Sequence, residues 1–187
     1  MQFGGYRIYD QQGAYFLTFT VVDWIDVFTR PAYKQVLIEA LRFYQNSRGL
    51  KVFGYVIMTN HLHLLAQTPE HHLSDFIRDF KRWTSRKLKE MLQEPQESRK
   101  SWIINRMEWR GKGNTHNHDF QFWQRGSHPV AVWSMSFAWE KLNYIHHNPV
   151  RAGIVLEPEA YLYSSARNYA GYEGMLPVTL LELDLSG

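Results

Sequence analysis

Two extended apolar runs lie next to each other near the middle of the chain, and they limit its fold more than any other feature. Residues 51–58 and 62–67 are separated only by a short connection that contains Thr59 and Asn60. Such a connection between β-favouring runs is typical of an antiparallel hairpin, and asparagine suits its turn. The sequence therefore predicts an antiparallel sheet that contains this hairpin.

The preceding and following segments predict one further strand and two helices around the hairpin. Residues 14–22 form a run of mostly aromatic and β-branched side chains that is apolar on both faces, which indicates a central strand. A helix is expected from Pro31 to just before Gly49, because apolar side chains recur at helical spacing between them. A second helix is expected over residues 73–91, with apolar residues on one side and basic residues on the other.

Towards the C-terminal end, the pattern predicts a short strand at about residues 120–125 and a helix over residues 136–147. That helix should stop at Asn148, since a residue that precedes proline disfavours helical geometry. The element order is then strand, helix, strand, strand, helix, strand, helix. This order predicts an α+β fold of the ferredoxin-like type, in which helices pack against a central antiparallel sheet.

The length of 187 residues suits a single domain over residues 1–187. Residues 93–119 are polar and rich in turn formers, so we expect a loop insertion there, and a C-terminal tail from about residue 156. No run approaches the roughly 20 apolar residues that span a bilayer, and no signal-peptide pattern is recognisable. We therefore expect a soluble, cytoplasmic protein with no membrane partner.

Composition excludes several kinds of functional site. The chain has no cysteine, so disulfides, cysteine-type zinc sites and a cysteine nucleophile are excluded, and any metal must be bound by histidine, carboxylate or amide groups. The formal charge of +3 and the pI near 9.1 permit a nucleic-acid partner without requiring one. Net charge does not report whether cations cluster on one surface.

A pair of histidines in the predicted hairpin is the first candidate site. His61 and His63 are separated by one residue, so the period of a strand places both imidazoles on one face and Leu62 on the other. Two imidazoles at this spacing can bind one divalent cation. Taken alone, the pair is equally consistent with two histidines that have only structural partners or face solvent.

Tyr144 and Asn148 form the second candidate site. On a helix these residues are one turn apart and share a face, so a phenol and an amide can point towards one object. An ordinary amphipathic helix with an asparagine cap and a proline stop would show the same pattern. If the helix ends before Pro149, the direction of the Asn148 side chain stays open.

Four blocks of sequence, taken together, resemble one protein family. The block MTNHLH at residues 58–63 resembles the signature of HUH nucleases, and KLNYIHHNPVRAGIV at residues 141–155 resembles the tyrosine helix of REP-associated tyrosine transposases. The blocks FWQRG at residues 122–126 and YLYSSARNY at residues 161–169 also match that family. The resemblance implies an HUH fold with the catalytic tyrosine on a C-terminal helix.

The same resemblance implies a set of functional residues and a reaction. Tyr144 would be the nucleophile, and His61, His63 and Asn148 would bind a divalent metal, Mg²⁺ or Mn²⁺, of which Mn²⁺ suits imidazole better. A phenol has a pKa near 10, so its attack on a phosphodiester needs such help. The product would be a 5′-phosphotyrosine from which strands are rejoined without ATP. The implied partner is single-stranded DNA that forms imperfect hairpins beside a guide sequence, and the protein would be a monomer or a homodimer.

Basic and aromatic side chains near these motifs are candidate DNA contacts, although each could equally belong to a solvated or packed surface. Cations on the second helix could follow phosphates, and further cations adjoin the motif blocks. The candidates are Arg78, Lys81, Arg82, Arg86, Arg125, His128, Arg151 and Arg167. Candidate stacking platforms for bases are Trp83, Trp123 and Tyr163.

Two other functions fit parts of the same pattern. The chain could be a single-stranded nucleic-acid-binding protein without catalytic activity, because RNA-recognition modules use the same order of elements. It could also be a metal-dependent phosphoesterase that uses water as its nucleophile, with Tyr144 in a structural role. Only the tyrosine enzyme predicts a covalent protein–DNA adduct.

Overall fold

A computed structural model describes residues 8–112 and 119–182 of the chain. The strands are β1 (Ala14–Thr20), β2 (Lys51–Ile57), β3 (His61–Gln67) and β4 (Val130–Ala131). The α-helices are α1 (Pro31–Arg48), α2 (Leu73–Leu92), α3 (Lys100–Lys112), α4 (Met135–Arg151) and α5 (Ala166–Tyr169). Two short 3-10 turns occupy Val22–Trp24 and Pro158–Ala160.

The four strands form one antiparallel sheet in the order β2-β3-β1-β4. β1 lies between β3 and β4, as predicted for a central strand, and the register pairs Thr18 with His63 and Thr20 with His61. The α+β fold and the hairpin between β2 and β3 are therefore confirmed.

The two faces of the sheet bury different helices, because alternate residues of a strand point to opposite sides. Leu17 and Leu64 belong to the larger core with α1 and α2, on what we call the helix face. Phe16 and Leu65 pack with Ile145 of α4 on the opposite side, which we call the site face. Both histidines of β3 share the site face with Leu65, as the strand period predicts.

The boundaries of α1 follow from its sequence. Pro31 occupies the first helical position, where its missing N–H costs nothing. Gly49 ends the helix with φ at 62°, a left-handed conformation that glycine adopts readily, and its N–H bonds to the Tyr44 carbonyl.

The prediction of a loop at residues 93–119 is wrong over much of that range, because α3 occupies Lys100–Lys112. Ile103, Ile104 and Met107 are buried at helical spacing and fix this helix on the core. The exposed polar residues between them concealed the pattern. The glycine- and histidine-containing part of the predicted insertion, residues 113–118, lies outside the described residues.

The predicted strand at residues 120–125 is also wrong. Phe122 and Trp123 are buried in the core of the helix face, and the segment makes an isolated bridge between Trp123 and Val21 in place of a ladder. The fourth strand is β4, only two residues long. Core packing by these aromatic rings therefore outweighs their strand propensity.

The sequence predicted that helix α4 stops before Pro149. This prediction is wrong, because the helix continues to Arg151. Pro149 is buried inside the helix, and the N–H of Ala152 bonds to the carbonyl of Asn148 beyond it. The bias of a pre-proline residue away from helical geometry is thus overcome by the packing of the last turn. Asn148 consequently belongs to the helix.

The segment after α4 covers the outer edge of β2. The carbonyl of Tyr163 accepts from Ile57 N, Ser165 N donates to the carbonyl of Tyr55, and Thr179 N donates to that of Val52. Across the described ranges, no helix has both the length and the apolar character needed to cross a membrane.

Candidate functional site

His61 and His63 lie side by side on the site face of β3. Their ring centroids are 4.6 Å apart with the planes inclined at 69°. His63 is buried, and His61 is half-buried at the start of the strand. The two imidazoles are therefore close enough to share one ligand.

Each histidine is held through its Nδ1 atom by a neighbouring side chain. The hydroxyl of Thr18, opposite on β1, lies 2.9 Å from His63 Nδ1. The amide oxygen of Asn60 lies 2.7 Å from His61 Nδ1. Within the described ranges no hydrogen bond occupies Nε2 of either ring, so each Nε2 atom can take another partner.

The hydrogen bonds of Asn60 also determine the tautomer of His61. Its Nδ2 donates to the carbonyl of Trp24 at 3.2 Å and to a carboxylate oxygen of Asp26 at 2.9 Å. The remaining amide atom is an oxygen, which can only accept, so His61 Nδ1 carries the proton. His61 Nε2 then presents a lone pair, as a metal ligand requires.

Both imidazoles are held in the neutral form. Burial lowers the pKa of His63 to about 3, and His61, whenever it is protonated, and the Arg151 guanidinium lower it further. Burial also lowers the pKa of His61, against the opposing effect of Asp26. Neutral imidazoles can bind a cation without first losing a proton.

Tyr144 of α4 faces the histidine pair across the site face. Its ring centroid lies 5.2 Å from that of His63 and 6.0 Å from that of Phe16, both in edge-to-face geometry. The side chain is 43% exposed, so the phenol can reach a ligand from solvent. The Arg151 guanidinium lies 4.6 Å from the Tyr144 ring and donates to the Tyr144 carbonyl at 2.7 Å.

The position of α4 depends on a close approach to β2. The helix begins at a Ser134 cap, whose hydroxyl accepts from Phe137 N at 3.2 Å. Leu142 and Ile145 then pack on the site face. A Cβ atom at Gly54 would lie 2.5 Å from Leu142 Cδ1, so glycine at this position lets α4 reach the sheet.

The donor set around His61 and His63 fits a divalent cation only with a third ligand of another type. Within the described ranges, no three histidine, cysteine or acidic residues form a cluster that could hold a metal. Asn148 follows Tyr144 by one turn of α4 and is half-buried. An amide there, with two neutral imidazoles, matches the ligand classes accepted by Mn²⁺ and, through oxygen, by Mg²⁺.

The structure does not bring the α2 cations to this site, because α2 packs on the helix face. Arg78 pairs with Asp75 and Asp79, and Arg82 also pairs with Asp79. Arg82, Arg86 and Trp83 line a cleft of about 630 Å³ between α1 and α2.

Lys81 lies away from the exposed basic side on which the sequence placed it. Its ammonium donates to the carbonyls of Gln124 and Gly126, at 3.1 and 2.6 Å, and burial lowers its pKa to about 8. Lys81 therefore supports the loop that carries Arg125 and His128.

The remaining cations among the candidate contacts are distributed over four places. Arg151 adjoins Tyr144, Arg125 lines a second cleft beside α3, and His128 is exposed in the loop before β4. Arg167 donates to the carbonyls of Glu159 and Glu173 in the tail. Trp123 is buried and donates to Thr84 at 3.0 Å, which makes core packing its role, whereas Tyr163 lies half-buried under the Lys34 ammonium.

Sequence reasoning missed three residues that hold the histidines. Thr18 could be found only once the register of β1 and β3 was known. Trp24, whose ring lies 5.9 Å from that of His61, is itself part of a turn with positive φ that the sequence pattern did not predict. Asn60, directly before His61, was assigned to the turn alone. Its position beside a ring nitrogen was the available signal.

Comparisons with known proteins agree with this architecture. A solved structure of a REP-associated tyrosine transposase bound to a REP hairpin covers 100% of this chain and 97% of its own, with a TM-score of 0.65 and 18% identity. This likeness shows a shared fold. A structure of a proposed transposase from Deinococcus radiodurans covers 78% of this chain and 95% of its own, at 20% identity and a TM-score of only 0.43.

No curated protein sequence matches the chain. The family model described as "Transposase IS200 like" matches residues 12–112, which is more than half of the 187 residues and includes β1, the hairpin and α1 to α3. This chain belongs to the IS200-like transposase family.

Proposed function

We propose that this protein is a metal-dependent endonuclease and strand transferase that acts on single-stranded DNA through a phosphotyrosine at Tyr144. The observation that carries the proposal is the convergence of a phenol from α4 and two neutral imidazoles from β3, with ring centroids 5.2 Å apart for Tyr144 and His63. The family and the shared fold support the reaction class. The substrate we propose is a hairpin-forming repeat, since the solved relative is described as bound to a REP hairpin.

His61, His63 and Asn148 would hold the cation. A bound divalent cation supplies positive charge to the scissile phosphate and orients it. Thr18 and Asn60 keep the two rings fixed through their Nδ1 atoms, so the Nε2 atoms stay directed to the ligand. The imidazoles add no charge of their own, and the cation keeps its full attraction for phosphate oxygens.

Tyr144 would attack the phosphorus atom. The new bond joins the phenol oxygen to phosphorus, the bond from phosphorus to the 3′-oxygen breaks, and the phenol proton is lost while the leaving oxygen gains one. Arg151, 4.6 Å from the Tyr144 ring, brings positive charge to the place where phenolate and phosphate develop negative charge. Attack by a second 3′-hydroxyl reverses the step and joins two strands.

The test is formation of a covalent adduct. Purified protein is incubated with Mn²⁺ or Mg²⁺ and a labelled single-stranded hairpin oligonucleotide with flanks, and a denaturing gel shows whether label stays with protein. We expect a metal-dependent band that Tyr144→Phe and His61→Ala abolish. Tyr172→Phe is the matched control, because Tyr172 is also exposed and has the Arg167 guanidinium over its ring.

The other outcomes select the competing functions. Tight binding of the hairpin without any band or cleavage would indicate a non-catalytic binding protein. Cleavage without a band, retained in Tyr144→Phe, would indicate a phosphoesterase that uses water.

A further inference from the structure

A second cleft lies beside α3, next to the candidate site and separate from it. Its volume is about 790 Å³. It opens between α3, the 3-10 turn at Val22–Trp24 and residues 121–125. The lining residues are Val22, Asp23, Trp109, Arg110, Lys112, Gln121, Gln124 and Arg125. Three of these eight are cations and one is an acid.

The cleft combines basic groups with an exposed aromatic ring. Trp109 is 59% exposed, although it is one of the largest apolar side chains. The guanidinium groups of Arg106 and Arg110 lie 4.6 and 5.3 Å from its ring centroid. An aromatic face next to guanidinium groups is the arrangement by which proteins stack an unpaired base and contact its phosphates.

One carboxylate, that of Asp23, forms ion pairs with both of these arginines. Asp23 accepts from Arg106 Nε at 2.5 Å and from Arg110 Nε at 2.8 Å, and its side chain is only 17% exposed. The Arg110 guanidinium lowers the pKa of Asp23, so the group is an anion at neutral pH. A carboxylate between two guanidinium groups stands where a phosphate could bind in the same way.

The backbone at Asp23 is held in an uncommon conformation. Asp23 and Trp24 have φ values of 53° and 56°, in the left-handed region that residues other than glycine rarely adopt. Trp24 then contacts the candidate site, because its ring lies 5.9 Å from that of His61 and its carbonyl accepts from Asn60. The same turn therefore forms a wall of the cleft and supports a histidine.

We propose that this cleft binds the single-stranded DNA segment that flanks the hairpin, with Trp109 stacking on a base and Arg106 and Arg110 binding a phosphate. Asp23 is the internal competitor that holds the two arginines until a phosphate replaces it. A paired stem offers no unpaired base on which the exposed ring could stack, which is why the ring favours the flank over the stem, and stacking on the hairpin loop would affect both oligonucleotides of the test below equally. This inference rests on the proposed function only because it takes hairpin-forming single-stranded DNA as the ligand.

The test measures binding without chemistry. Fluorescence anisotropy is recorded in the Tyr144→Phe background and without metal, on two labelled oligonucleotides, the hairpin with its single-stranded flanks and the hairpin alone. Trp109→Ala should weaken binding of the flanked hairpin at least about fivefold and that of the bare hairpin less than about twofold. Trp102→Ala is the matched control, because Trp102 is exposed on the same helix and does not line the cleft.

The substitution Asp23→Asn tests whether the Asp23 carboxylate competes with a phosphate for Arg106 and Arg110. Asparagine tolerates positive φ and keeps the shape of the side chain but carries no charge. Binding of the flanked hairpin should tighten about two- to tenfold at low salt, and the gain should shrink as salt rises.

Equal losses for both oligonucleotides in Trp109→Ala, or an equal loss in Trp102→Ala, would overturn the cleft as a flank site. Weaker or unchanged binding of the flanked hairpin in Asp23→Asn would overturn the proposal that Asp23 competes with the DNA phosphate. Thermal unfolding of each variant separates these results from loss of the fold. A covalent adduct at Tyr144 is scored independently, so either proposal can fail while the other stands.

Discussion

The two faces of the sheet are built on different principles. On the helix face, apolar residues of β1 and β3 pack against α1 and α2, and neighbours such as Phe19 and Phe80 are fully buried. On the site face, His63 and Tyr144 stand beside Phe16, and specific hydrogen bonds hold the polar groups. The helix face therefore determines stability, and the site face carries the proposed chemistry at small cost to stability.

Phe80→Ala should show the largest effect on stability. Phe80 is fully buried and contacts the rings of Phe19, Phe76 and Trp123, so its removal leaves a cavity that costs about 3–5 kcal/mol. Tyr144→Phe keeps the ring contacts of a half-exposed residue and should cost under about 1 kcal/mol. Urea denaturation measures the free energy of unfolding of both variants. Similar decreases in the two would contradict the conclusion that the helix face determines stability.

Acid should weaken the helix face through a buried carboxylate. The pKa of Glu97 is lowered to about 2, chiefly because Arg99 donates to it and also because Tyr33 does, at 2.7 Å. A pKa below its ordinary value of 4.5 means that this stabilisation is present above about pH 4.5 and is lost as the pH falls towards 2.

The loss amounts to at most about 3 kcal/mol. Urea denaturation at pH 6 and pH 3 should show somewhat more than half of this loss in the unmodified protein, because the carboxylate is not yet fully protonated at pH 3, and much less in Glu97→Gln. Glu94→Gln, at an exposed neighbouring position, is the control and should behave like the unmodified protein. If Glu97→Gln lost as much unfolding free energy at pH 3 as the unmodified protein, Glu97 would not be the cause of the acid sensitivity.

Gly54→Ala should disturb the contact between the site face and α4. The added Cβ would meet Leu142 Cδ1 at 2.5 Å, which forces the helix or the side chain to shift and costs about 1–3 kcal/mol. Because Tyr144 lies on the same helix, adduct formation should fall as well. Leu142→Ala in the Gly54→Ala background makes room for the methyl group and should restore part of the adduct; no recovery would argue against a steric cause.

Thr18→Val should have the smallest effect on the fold and a specific effect on metal binding. Valine keeps the shape of threonine but cannot bond to His63 Nδ1, so the affinity for Mn²⁺ should fall about tenfold. Isothermal titration calorimetry with Mn²⁺ measures this change, and Thr18→Ser should retain most of the affinity. Equal affinities for all three proteins would show that Thr18 does not orient the ring.

Elements with a regular pattern were predictable, and elements whose position depends on distant contacts were not. The spacing of apolar residues predicted α1 and α2 and the strands of the hairpin within a few residues. The same reasoning missed α3, because exposed tryptophans and arginines alternate with its buried residues, and it placed a strand where Phe122 and Trp123 fill the core.

Sequence by itself determined the hairpin and the shared face of His61 and His63, because these depend on the period of a strand, whereas the place of Asn148 inside α4 was decided by the packing around Pro149. Only the tertiary structure decided which side chains meet. The register of β1 against β3 brings Thr18 to His63, and the room above Gly54 brings Tyr144 to the pair. It also decided that Lys81 is half-buried against the Gln124 and Gly126 carbonyls while Asp23 faces two arginines, since burial and charge pairing arise between residues far apart in the chain.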